Sequence, residues 1–231
     1  ADLETVGTPA KGIPALEWLL RRPLTAGTCA YAQLLSQGLE AEATGILQDM
    51  APLAKAASTP PADSGEPGES AAESPVGPMF SEWVNQWLAG WERLRWGAIE
   101  QPLQKARTRG ADAEFARADR ASNLADWRAQ WEALRVQASL TAEQHAAPPQ
   151  PGQALIPIEA LLRGKGQLVL ADRWAQAIDR VGGRMATLTP SSGAAQLQTL
   201  TRDMKAVTTL YQNEVAAALD VPLGFSDADG D

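Results

Sequence analysis

Between residues 80 and 103, Phe80, Trp83, Val84, Trp87, Leu88, Trp91 and Leu94 recur at intervals of three and four. That period gathers bulky side chains on one face of an α-helix. A strand would send the adjacent pairs Trp83–Val84 and Trp87–Leu88 to opposite faces. The pattern runs through most of the chain. Residues 28–50 place Tyr31, Leu34, Leu35, Leu39, Ile46, Leu47 and Met50 on one stripe, with Thr25 or Thr28 as candidate N-caps. Ser81 is the predicted cap of the 80–103 helix and Pro102 its predicted end. Residues 123–140 follow Ser122 and carry Leu124, Trp127, Trp131, Leu134 and Ala138. A short helix is predicted over 154–163, and longer ones over 167–188 and 194–219, with Pro190, Ser191, Ser192 and Gly193 as the turn between the last two. No segment alternates over a strand's length, so the expected fold is all-α, an antiparallel helical bundle.

Two stretches depart from this pattern. Residues 58–78 hold five Pro, three Gly, four Ser and four acids with no base, which predicts a flexible linker or long loop. Residues 220–231 form an acidic tail with four acids and no base. The chain has 28 acidic and 20 basic residues, a formal charge of -8, and these two segments account for the whole excess. The remainder is neutral. An acidic chain without a Lys/Arg run repels phosphate backbones, so no nucleic-acid partner is expected. The apolar runs are too short to span a membrane. One cysteine, Cys29, excludes a disulfide within the chain, and one histidine, His145, excludes a two-histidine zinc motif.

Few residues stand out chemically. Gly12 to Leu20 reads as a helix start, with Pro14 in the first turn and Glu17 near the positive end of the dipole. Glu17 is either a surface residue of a capped amphipathic helix or a carboxylate in a cleft. Asp227, Asp229 and Asp231 alternate as in a calcium loop, but the glycine is misplaced for an EF-hand and no Glu follows. The spaced tryptophans read as core packing. His145 sits among Pro, Gln and Ala in a predicted loop with no visible partner, and Cys29 near a helix start reads as a small packed residue. There is no G-x-S-x-G, P-loop or dinucleotide fingerprint.

Taken together, these segments resemble the imelysin-like family of bacterial cell-envelope proteins. Val6–Leu20 resembles that family's signature segment, and Leu223–Asp231 is similar to its closing GFNxxDGD pattern. Cys29–Gln33, Val84–Gln86 and Ser122–Leu124 agree in order more weakly. The family includes the insulin-cleaving membrane protease and relatives of EfeO-type iron-uptake proteins. In its GxHxxE motif the His and Glu are the proposed metal or catalytic pair. Here Gly12 and Glu17 match, while the His position is Pro14, which can neither ligate a metal nor move a proton.

The resemblance implies two packed four-helix-bundle-like lobes, a periplasmic or envelope location and a lipid anchor upstream. It implies binding residues at Gly12, Pro14 and Glu17. It also implies a divalent metal or iron as the possible cofactor, with Glu17, Asp227, Asp229 and Asp231 as candidate ligands. Family members carry helices before the motif, so another polypeptide is an expected partner that supplies them. The expected function is a non-catalytic envelope protein for metal uptake or ligand binding. The alternatives are a metallopeptidase of the imelysin type and a protein-interaction module built on the Trp-rich helices.

Overall fold

The structure is a computed structural model and describes residues 6–7, 10–58, 76–117, 119–150 and 155–222. Among them every regular element is helical and none is a strand, so the fold is all-α. The chain divides into two units, Ala1–Ser70 and Ala71–Asp231.

The first unit is a helical hairpin of α1 (Gly12–Leu20) and α2 (Ala26–Ser58). Thr25 caps α2 and Thr28 answers it. The Thr25 backbone N–H donates to Thr28 Oγ1 at 2.8 Å, and the Thr28 N–H donates to Thr25 Oγ1 at 3.3 Å. The core of this unit is small: Leu19, Ala32 and Leu35, flanked by Ala15, Leu16 and Tyr31. The stripe predicted over 28–50 is therefore only half used, and Ile46, Leu47 and Met50 stay 64, 71 and 55% exposed. Length explains the difference. At about 1.5 Å per residue, α1 covers only the first third of its partner.

The second unit begins with α3 (Val76–Glu92), which passes without a break into π1 (Arg93–Glu100), a π-wound segment, and then α4 (Gln101–Arg109). Three expectations are corrected here. The helix starts at Val76, so Ser81 lies inside it rather than capping it, and 76–78 belong to the helix rather than to a linker. Residues 59–75 of the expected linker lie outside the described residues. Pro102 does not end the helix. The turn before it is π-wound, with the Gln101 N–H reaching back to the Trp96 carbonyl, and Pro102 then falls in the first turn of α4. A first-turn residue needs no intrahelical N–H, so the ring is tolerated there. The helix instead ends at Gly110, which takes φ 62°, a conformation glycine adopts without a Cβ penalty.

The remaining helices are α5 (Arg120–Ala138), α6 (Ala142–Ala146), α7 (Ile158–Gly164), α8 (Leu168–Thr187) and α9 (Ala194–Leu210). The last runs on through π2 (Tyr211–Val215) into α10 (Ala216–Ala218). The cap of α5 is Asp119, whose Oδ1 accepts the Ser122 N–H at 2.8 Å, so Ser122 sits within the first turn. No helix among the described residues is long and apolar enough to cross a membrane.

The tryptophans do what their spacing predicts. Trp87, Trp91, Trp127, Trp131 and Trp174 are buried in one core. Three of these indole N–H groups donate to backbone carbonyls: Trp87 to Leu134 O at 2.9 Å, Trp91 to Met204 O at 3.1 Å, and Trp174 to Ala138 O at 2.8 Å. The last bond serves a carbonyl at the end of α5 that has no partner within its own helix.

Tyr211 is fully buried against this cluster, and among the described residues its hydroxyl has no hydrogen-bond partner. Burial pushes its pKa up to about 12. Tyr211→Phe removes the stranded hydroxyl and keeps the ring, so urea unfolding is expected to show a gain of about 1 kcal/mol. The pH sign follows. An unfolded tyrosine ionises at about pH 10 while the folded one stays protonated, so the native chain loses stability as pH rises from about 10 toward 12. Tyr211→Phe should lose less over that interval. A variant less stable than the native chain overturns the assignment.

Candidate functional site

Gly12, Pro14 and Glu17 all lie on α1. Gly12 opens the helix at φ 76°, and Pro14 stands third, where a missing N–H is harmless. Glu17 accepts a hydrogen bond from Arg21 Nη2 at 2.9 Å one turn on. Tyr31 Oη donates to Ala10 O at 2.7 Å and ties α2 to the segment before α1. Trp18 is exposed, with the Arg22 guanidinium 3.5 Å over its ring. Cys29 is exposed rather than packed. Asp227, Asp229 and Asp231 lie outside the described residues. Among the described residues no group of three His, Cys, Asp or Glu side chains is placed to hold a metal ion.

The convergent site lies elsewhere, around His145 in the second unit. Its residue is not in a loop, as expected, but on α6. Thr141 and Gln144 form a reciprocal capping box: Gln144 N donates to Thr141 Oγ1 at 3.3 Å, and Thr141 N donates to Gln144 Oε1 at 2.9 Å. His145 also has a partner. Its Nε2 lies 3.4 Å from Oε1 of Glu159, a fully buried carboxylate on α7.

Both oxygens of Glu159 are engaged. Oε2 accepts the Leu140 backbone N–H at 2.9 Å. Oε1 accepts Arg163 Nε at 2.9 Å and Nη2 at 2.8 Å. Arg163 reaches on to Asp172 of α8 at 2.7 Å, and these hydrogen bonds to Glu159 and Asp172 hold its pKa above the usual guanidinium range. One buried carboxylate thus joins the end of α5, α6 and α7, and Arg163 extends the link to α8.

Above this joint lies a cavity of about 560 Å³, within the range of small-molecule sites. Leu140, Pro148, Pro149, Ile156, Ala160 and Leu161 make its wall mostly apolar, and Gln144, His145, Arg163 and Lys165 supply its polar atoms. Among the described residues no hydroxyl or thiol side chain lines it. Its apolar wall and few polar side chains can hold an apolar body that carries a polar group. Two signals in the chain pointed here: the T-A-E-Q string at 141–144, and a lone Glu inside the apolar run Ile156–Leu162.

A second polar network sits at π1. Arg95 is buried, with Nε donating to both Glu92 oxygens at 3.0 and 2.9 Å and Nη1 donating to Glu100. Thr208 Oγ1 donates to Glu92 from α9. Burial works against the charge on Arg95, but the Glu92 and Glu100 carboxylates outweigh it and hold its pKa above the ordinary value. This network locks the π-wound turn against α9. Comparison of the chain with family models, with curated proteins and with solved structures gave no match.

Proposed function

We propose that this chain is a non-catalytic ligand-binding protein of the imelysin-like type, working in the bacterial cell envelope. The ligand seat is the cavity beside His145 and Glu159. The observation that carries this reading is the cavity itself: a mostly apolar wall with four polar side chains, two of which, His145 and Arg163, also contact the buried Glu159 carboxylate. The fitting ligand is a small, mostly apolar molecule with a polar group. Pro14 at the motif's histidine position supports the non-catalytic part. The reading brings with it an architecture of two four-helix-bundle-like lobes. It also brings a partner polypeptide whose helices cover the first unit, and the exposed Ile13, Leu24, Ile46, Leu47 and Met50 support that. A metal cargo would rest on the resemblance, through Glu17 and the tail aspartates.

Methyl NMR during titration with octanoate and other small amphiphiles tests the seat. Shifts are expected at Leu140, Ile156 and Leu161, and they should vanish in Ala160→Trp, which fills the cavity from a half-buried position. Shifts that persist in Ala160→Trp, or that never appear, overturn the assignment. Peptide hydrolysis by the pure protein, with or without added zinc, overturns the non-catalytic reading.

A further inference from the structure

A cleft of about 290 Å³ lies between α4 and α9, and it shares no residue with the His145 cavity. Glu100, Gln104 and Arg107 descend one side at intervals of four and three. Gln198, Thr201, Arg202 and Lys205 descend the other at helical spacing, so two polar stripes face each other. Leu103 and Thr201 are buried at its base.

The charges do not balance. Arg107, Arg202 and Lys205 line the cleft, and none of them forms an ion pair among the described residues. The one acid present is already engaged: Glu100 Oε2 accepts from Arg95, and Oε1 accepts from Gln104 Nε2 at 3.2 Å. Asp203, next to Arg202, is paired with Arg184 at 3.0 Å. Helix α4 has no acid at all and also carries Lys105 and Arg109. The chain's excess of acids lies in residues 58–78 and 220–231, and the rest is balanced at 20 acids and 20 bases, so these three cations are not matched by acids at the cleft. Cations left around one cleft in such a chain repel one another, and a bound anion relieves that repulsion. The π-wound turn that ends at Glu100 is a distortion frequently found at functional sites, and the Arg95 network holds it in place.

We propose that this cleft binds a small, multiply charged oxyanion. Two guanidinium groups offer bidentate forks to its oxygens, Lys205 adds a point charge, and Gln198 adds a neutral donor. The cleft is at the small end of ligand pockets, which suits an anion the size of pyrophosphate or citrate.

Calorimetric titration with pyrophosphate and, separately, citrate tests this. At least one should bind, more weakly at high salt. The double variant Arg202→Gln/Lys205→Gln should weaken binding by about tenfold or more. Arg93→Gln/Arg180→Gln removes the same charge from exposed positions outside the cleft and should leave affinity unchanged. Preference for pyrophosphate assigns a phosphoryl ligand, and preference for citrate a polycarboxylate; either supports the site. In the native chain, NMR shifts should gather at the Gln104 and Gln198 side-chain amides, a readout that needs no variant. Absence of binding by both anions, equal loss in the two double variants, or shifts that avoid those amides overturns the proposal.

Discussion

Trp91→Ala should lose about 3–5 kcal/mol of stability and lower the thermal midpoint by roughly 10 °C. Trp91 is fully buried at the centre of the second unit. Its ring lies 5.2 Å from Trp87 in a stacked arrangement and 5.7 Å from Trp131 at 59°. Its N–H reaches Met204 O on α9. Alanine leaves a ring-sized void between α3, α5 and α9, and interiors at crystal-like density relax only partly into such a space. Trp91→Phe keeps a ring and loses the N–H, so it should cost less than the alanine variant. Urea unfolding followed by circular dichroism measures both. An alanine variant within about 1 kcal/mol of the native chain would contradict the packing described for α3.

Glu159→Ala comes next, with an expected loss of about 3 kcal/mol. The carboxylate is fully buried and serves Leu140 N–H, Arg163 and His145. Removing it orphans the Leu140 N–H and leaves a small cavity. Arg163 is not stranded, because it is partly exposed and keeps Asp172, so the penalty falls short of breaking a fully buried pair. Glu159→Gln retains an acceptor for Leu140 and should lose about half as much. The variants also separate structure from ligand binding. If octanoate shifts disappear in Glu159→Gln while α6 remains helical, the joint positions His145 for the ligand. If both variants match the native chain in stability, Glu159 is not the joint described.

The long helices of the second unit were legible because each buries one continuous face against the same core. Leu170, Trp174, Ile178, Val181 and Met185 in α8 are buried in register, as are Leu197, Leu200, Met204 and Val207 in α9. The turn at Pro190–Gly193 also lies where the chain places its Pro and Gly residues. The errors came where a local rule met a competing context. Pro102 reads as a stop, but a π-wound turn places it where no N–H is required. Ser81 reads as a cap, yet the helix had already begun five residues earlier. The lower half of the α2 stripe reads as core, yet its partner helix is too short to cover it.

The site was less legible still, because a site is a meeting of distant residues. Periodicity could not show that Glu159 would be buried, since an isolated Glu in an apolar run can also turn outward. Nor could it show that Glu159 would meet His145 and the Leu140 N–H from two other segments. The cleft at Arg107, Arg202 and Lys205 joins residues nearly a hundred positions apart.

By itself, then, the chain determined the all-α class, the faces of its long helices and the tryptophan core, because these follow from the 3.6-residue period and the burial of apolar area. Only the tertiary structure decided which polar groups would be paired and which cations left open. Pairing depends on distances between elements, and no spacing within one element encodes those.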